Sequence, residues 1–158
     1  HFQQVRTGIA CYGLEPVAGC EHDLRPAMTW AATVLAVKPI SAGEATSYGL
    51  TWTAEQDGYL AVIPCGYADG LPRSVQGHLQ VGISGKCYPQ VGRVCMDQIL
   101  VDLGENPFGV QAGDEAVLFG EHGMSATDLA DATGTINYEI VTNPGGRTVR
   151  EYEGGVAL

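Results

Sequence analysis

Along most of the chain, short apolar runs rich in β-branched residues alternate with turn residues, which is the spacing of strands rather than of long amphipathic helices. The opening stretch, Val5-Arg6-Thr7-Gly8-Ile9-Ala10-Cys11-Tyr12-Gly13 within residues 1–14, reads as a buried strand. A strand needs a neighbour to bond with, so this one reads as cut from something larger. Residues 15–26 carry prolines, a glycine and mixed charges and read as a linker. A strand over residues 27–37 follows and ends at Lys38-Pro39. After the turn Ser41-Ala42-Gly43-Glu44, residues 45–54 read as a strand centred on Tyr48. Residues 59–64 lead straight into Cys65-Gly66-Tyr67. Residues 79–83 and 87–91 flank Ser84-Gly85-Lys86, a short glycine-containing hairpin signal. Residues 99–103, 115–119 and 147–152 complete the set of strands. One helix is indicated: Ser125-Ala126-Thr127-Asp128 has capping-box spacing, with Asp in place of Glu or Gln, and Gly134 stops it. A second short helix is indicated over residues 137–141. The pattern predicts a mainly β domain over residues 27–158, a barrel or sandwich with one or two short helices.

Composition narrows the function classes. With 158 residues the chain is one domain's worth of core. Its net charge of −10 excludes a nucleic-acid footprint and a polybasic membrane patch. No apolar stretch is long enough to span a bilayer, and no signal peptide is seen. Cys11, Cys20, Cys65, Cys87 and Cys95 are scattered without C-x-x-C spacing, which fits a reduced, cytoplasmic compartment. The histidines are isolated, so no metal site is expected. Cations are scarce, and an inward-facing arginine such as Arg73 or Arg93 suits a carboxylate or phosphate.

Candidate chemistry lies in three glycine-flanked clusters: Ser47-Tyr48-Gly49, Gly66-Tyr67-Ala68-Asp69-Gly70 and Gly92-Arg93-Val94-Cys95-Met96-Asp97-Gln98. Glycine permits close approach, and tyrosine joins an aromatic body to a hydroxyl that can transfer a proton. Together with Thr135-Ile136-Asn137-Tyr138-Glu139 and the opening Val5–Gly13 run, these blocks resemble the C-terminal part of the bacterial alanine racemases, pyridoxal 5'-phosphate enzymes, in the same order along nearly the whole chain.

That resemblance implies a TIM-like barrel whose last strand is residues 1–14, a linker at 15–26 and a complete β domain at 27–158. It implies Tyr48 as one of two catalytic bases, the other being a cofactor-bound lysine in the barrel, where the tyrosine's activating histidine also lies. Met96 is implied as a backbone N–H donor to the substrate carboxylate. Tyr67, Arg73, Arg93 and Ile136 are implied to line a narrow entrance for small amino acids. Arg6 is implied to donate to the cofactor's pyridine nitrogen, weakening the ring as an electron sink. Gly8 and Ile9, through their amides, and Tyr138 are implied to hold the phosphate. The expected partners are the N-terminal barrel and a second subunit in a homodimer, whose active site Tyr48, Tyr67 and Met96 would serve. The expected role is D-alanine supply for peptidoglycan. Two features depart from the family: Asn143-Pro144-Gly145-Gly146 replaces an arginine-containing run, and Lys38 and Lys86, the chain's two lysines, both sit where solvated surface lysines belong. A fragment without the Schiff-base lysine is expected to be inactive alone. Alternatives are a racemase of serine or another small amino acid, a related pyridoxal-phosphate decarboxylase, and a non-catalytic β module.

Overall fold

The computed structural model describes residues 3–17, 19–20 and 22–154. Among the described residues nine strands form: β1 Trp30–Thr33, β2 Ala36–Ile40, β3 Ala45–Thr46, β4 Trp52–Thr53, β5 Gly58–Ile63, β6 Gln80–Ile83, β7 Lys86–Val91, β8 Ile99–Asp102 and β9 Glu115–Phe119. Seven of them make one antiparallel sheet in the order β1-β9-β6-β7-β8-β5-β2. The two edge strands are joined by Val34 and Leu35 alone. In a flat sheet those edges would stand about 29 Å apart, six steps of about 4.8 Å, yet three peptide units reach only about 11 Å. The sheet must therefore curl. Val34 exchanges backbone bonds with Asp114 and Gly113 beside β9, and the Leu35 N–H donates to Val62 of β5 at 2.8 Å. One run, Trp30–Ile40, thus pairs with both ends of the curled sheet, leaving only the outer sides of β1 and β2 as edges.

Inside the curl, strand residues meet in one core that includes Ile63, Val81, Ile83, Ile99, Val101, Leu118 and Phe119. Helices α1 Ala126–Thr133 and α2 Asn137–Thr142 add Leu129, Ala130, Ile140 and Val141 to it. The N-cap forms as the sequence predicts, without the reciprocal half of a capping box: Asp128 N–H donates to Ser125 Oγ at 3.0 Å, the Asp128 carboxylate accepts the Ser125 hydroxyl at 2.7 Å, and Gly134 ends the helix at φ +74°. The Ser84-Gly85 turn also forms, with both residues at positive φ, as a two-residue hairpin requires. On the sheet's outer face, Ile40, Leu60 and Val91 pack with Ala54, Trp52 and Leu100 beneath the β3–β4 hairpin. That small cluster seats the hairpin whose tip carries Tyr48.

Four strand expectations are corrected. Residues 5–13 form no strand: Gly8–Tyr12 is a 3-10 turn entered through Gly8 at φ +62°, and of the turn only Ile9 is buried. Without a neighbouring strand to bond with, the extended form has no partner for its amides. Residues 45–54 divide into β3 and β4, because Ser47, Gly49 and Leu50 all take positive φ and reverse the chain. The strand expected to end at Lys38-Pro39 runs through to Ile40; Pro39 faces Tyr59 on an edge strand, where a missing N–H costs no ladder bond. Residues 147–152 form no strand and are held by side chains, among them Thr148, whose Oγ accepts the Trp30 indole N–H at 3.2 Å. The stretch read as a linker leaves and returns: Ala27 N–H bonds Tyr12 O at 3.0 Å, and a Cβ on Gly13 would stand 1.6 Å from Arg25 O.

Candidate active site

Three loops meet beside the end of the β5–β8 ladder. The first is the tip of the β3–β4 hairpin. Its Ser47 Oγ accepts the Arg93 N–H at 2.7 Å, and a Cβ on Gly92 would lie 2.5 Å from Ser47 Cβ. Glycine at 92, with φ +67°, is thus required twice, for conformation and for contact. Tyr48 projects from this tip, 71% exposed. Among the described residues no hydrogen bond reaches its hydroxyl.

The second loop, residues 64–70, packs on the third, residues 92–98. Tyr67 N–H donates to Cys95 O at 3.1 Å and Ala68 N–H to Met96 O at 3.0 Å. Met96 is half exposed, and its own N–H has no partner among the described residues. Asp69 is buried beneath these loops. Its carboxylate accepts the Gly66 N–H at 3.0 Å and is gripped by Arg147, Nε to Oδ1 at 2.9 Å and Nη2 to Oδ2 at 2.7 Å. The guanidinium holds the Asp69 carboxyl below the usual carboxylate range, and the carboxylate in turn raises Arg147 further. Burial pushes the neighbouring Cys65 thiol up to about 12, with Asp69 adding to the rise, so at neutral pH it is an inert thiol rather than a nucleophile.

The structure thus brings Tyr48, Tyr67, Arg93 and Met96 together on loops bonded to one another, by the Ser47 hydroxyl on one side and by backbone on the other. The other candidates stand apart. Arg73 is exposed at the start of a 3-10 turn that packs on α1, and no hydrogen bond links its side chain to the three loops. Ile136 caps α2 and is exposed, and Tyr138 in the first turn is partly exposed. Neighbouring Asn137 is buried, and its Nδ2 donates to Glu15 O at 3.0 Å, tying α2 to the segment that follows Gly8 and Ile9. Arg6 is exposed and makes no hydrogen bond to a described residue. A Cβ on Gly8 would meet nothing within 4 Å, so the turn presents a bare backbone face. The helix α2 is the strut between the two groups: its C-cap Asn143 lies against Gly70, where a Cβ would be 1.9 Å from Asn143 O.

Arg147 is the residue the sequence reading missed. Its one signal was scarcity, an arginine next to a Pro-Gly-Gly run in a chain with few cations. Lys38 and Lys86 are both exposed, the latter with Nζ 5.2 Å from the Phe108 ring centre. Among the described residues there is no cluster of three His, Cys, Asp or Glu suited to a metal, and no helix is long and apolar enough to cross a membrane.

Comparison with known proteins places this geometry in context. The family described as "Alanine racemase, C-terminal domain" matches residues 27–152. The alanine racemase of Corynebacterium efficiens is 64% identical over 154 residues, covering 98% of this chain and 42% of that protein. That of Mycobacterium tuberculosis is 53% identical over 155 residues, covering 96% and 40%. Among solved structures, alanine racemase from a D-cycloserine producing Streptomyces lavendulae superposes with a TM-score of 0.90 at 45% identity, over 99% of this chain and 42% of that one. The Corynebacterium glutamicum alanine racemase gives 0.77 at 55% identity, over 91% and 38%. The chain spans about two-fifths of the length of the relatives it matches.

Proposed function

The chain belongs to the alanine racemase family through its C-terminal domain, and from that premise we propose that it supplies one face of a racemase active site interconverting L- and D-alanine. The observation that carries the reading is the junction of the three loops, which sets an exposed tyrosine hydroxyl and an unpartnered backbone N–H on loops bonded to one another. Inverting a Cα centre requires a proton to leave one face and another to arrive on the opposite face. Tyr48 is the proton donor and acceptor on one of them. A free phenol in water gives up its proton only near about pH 10, so catalysis at neutral pH needs a neighbouring group to activate such a hydroxyl. The Met96 N–H holds the substrate carboxylate, and Tyr67, Arg73, Arg93 and Ile136 restrict the approach to small amino acids.

Pyridoxal 5'-phosphate, when bound, acidifies the Cα–H by drawing electrons from it. The residues at the start of the chain fit that group. The left-handed Gly8 leaves a face without side-chain atoms, and the first amides of a 3-10 turn, Gly8 and Ile9, have no partner within it. These amides and the Tyr138 hydroxyl hold the phosphate, and Arg6 donates to the ring nitrogen. The lysine that carries the cofactor lies in an N-terminal barrel outside this chain, with residues 1–14 belonging to that barrel, 15–26 joining the units and 27–158 forming the second. Tyr48, Tyr67 and Met96 act on the cofactor of a partner subunit in a homodimer, which fits their loops, since these bond to one another and carry exposed side chains. The activity is cytoplasmic and feeds peptidoglycan synthesis.

The test is Tyr48→Phe in the full-length enzyme, assayed in deuterated buffer. Racemisation should fall by about 10²- to 10⁴-fold, the usual contribution of a general base. Exchange of the α-hydrogen of one enantiomer, without inversion, should persist. Racemisation retained within about threefold would rule out Tyr48 as the base.

A further inference from the structure

We propose that the Asp69–Arg147 pair is a positioning device that aims the Met96 N–H, an inference resting on the racemase reading of that donor. The β5–β8 ladder ends at Ile63 opposite Ile99. Beyond it the chains part into the two loops, and their carbonyls have no ladder partners. Arg147 Nη2 donates across that gap to Pro64 O at 3.3 Å and Asp97 O at 3.1 Å while also holding Asp69. A guanidinium presents several donors in one rigid plane, so a single side chain fixes the spacing of both loops.

The geometry then passes to Met96 through backbone alone. Asp69 accepts the Gly66 N–H and closes the Tyr67–Asp69 turn. That turn sends the Tyr67 N–H to Cys95 O. The Cys95–Met96 peptide is planar and trans, so its C=O and N–H point in opposite directions. With the carbonyl drawn toward the Tyr67 turn, the Met96 N–H is turned away from it, where no described residue meets it. The ion pair sets the direction of a donor it does not touch. The C-terminal run is shaped to deliver the arginine: Gly145 N–H donates to Asp69 O at 2.9 Å, and a Cβ on Gly146 would stand 2.5 Å from Ala68 O.

The full-length enzyme carrying Arg147→Ala tests this, with Arg147→Lys as the milder variant should the first fail to fold. Hydrogen–deuterium exchange over residues 64–70 and 92–98 should quicken relative to the rest of the domain. KM for alanine should rise about tenfold with kcat held within about threefold, because a contact made before the chemical step has loosened. Added methylguanidinium should restore KM in Arg147→Ala, since the Arg147 side chain is 57% exposed and its place is reachable from solvent. Unchanged exchange at residues 92–98 overturns the proposal, as does loosened exchange with KM unmoved, or a lowered melting point as the sole effect. A wild-type enzyme that does not racemise alanine would instead fail the functional reading, and the exchange measurement would still decide whether the pair holds the loops.

Discussion

Gly66→Ala isolates the close packing of the two loops from every backbone effect. Gly66 sits at φ −148°, ψ −162°, an extended conformation open to any residue, so an alanine there meets no conformational penalty. What it meets is backbone: the added Cβ would lie 2.3 Å from both Cys95 O and Met96 O and 2.5 Å from Met96 C. Ordinary contact begins near 3.4 Å, so the loops must separate by about 1 Å, and neither obstacle is a side chain that can swing aside. That displacement takes the Tyr67–Cys95 and Ala68–Met96 bonds, now 3.1 and 3.0 Å, beyond useful length. Two such bonds contribute about 1 kcal/mol each, and overpacking adds about 1–3 kcal/mol, for a loss of about 3–5 kcal/mol. Gly77→Ala is the control. It has open space around its Cβ position but a φ of +78°, so it isolates the left-handed backbone, at about 1 kcal/mol. Urea unfolding of the chain, followed through the fluorescence of Trp30 and Trp52, should place Gly66→Ala about 2–4 kcal/mol below the control. A gap under about 1 kcal/mol would mean that the loops are not packed as tightly as the contact distances require.

Two further outcomes follow from buried polar groups. Because the folded-state pKa of Asp69 is depressed by Arg147, its stabilisation is fully present above the unfolded value of about 3.9 and is lost as pH falls through the folded value; the urea midpoint gap between wild type and Asp69→Asn should therefore hold between about pH 5 and 8 and shrink toward about pH 3, and a gap that does not change with pH would contradict it. Tyr88 has a buried hydroxyl with no hydrogen-bond partner among the described residues, and burial raises its pKa, so Tyr88→Phe should be neutral or stabilise by up to about 1 kcal/mol in the same assay, whereas a loss above about 1 kcal/mol would mean that the hydroxyl is bonded.

What was legible in the sequence was local. The Ser84-Gly85 turn and the Ser125 cap are written within a few residues of where they act, and both form. The strands β5, β8 and β9 needed only their own short apolar runs bounded by turn residues. The Tyr48 stretch misled because Thr46, Thr51, Trp52 and Thr53 favour strand, whereas its fate was set by Ser47, Gly49 and Leu50, all left-handed. The opening run misled because its composition suits a strand and the missing neighbour is a tertiary fact. Closure by Trp30–Ile40 could not be read from either half of that run, since the break at Val34-Leu35 has no turn residue. The Asp69–Arg147 pair joins residues far apart in sequence, and nothing local to either end announces the other. In the Asn143-Pro144-Gly145-Gly146 run, a departure by comparison with the family pattern, only Gly146 has a packing reason, since a Cβ there would stand 2.5 Å from Ala68 O, whereas one on Gly145 would meet nothing closer than 3.6 Å.

The site is tied together by main chain and leaves its side chains free. Tyr67 to Cys95 and Ala68 to Met96 are bonds between backbone groups, and the Arg93 N–H is held by the Ser47 hydroxyl, while the side chains of Tyr48, Leu50, Tyr67 and Met96 remain exposed. Fully burying one such apolar side chain is worth about 1.5–3 kcal/mol, so a domain standing alone leaves that stabilisation unused at its most ordered loops. A partner surface docking there would gain it without reordering the backbone, because the loops are already fixed by hydrogen bonds independent of the partner. The same docking would exclude water from the Tyr48 hydroxyl and the Met96 N–H, and so strengthen each polar contact they make. Loops ordered in advance with free side chains suit the proposed catalytic face completed by a second subunit, and the Arg147 guanidinium, which bonds Pro64 O and Asp97 O at the foot of two of those loops, is the group proposed to hold their spacing.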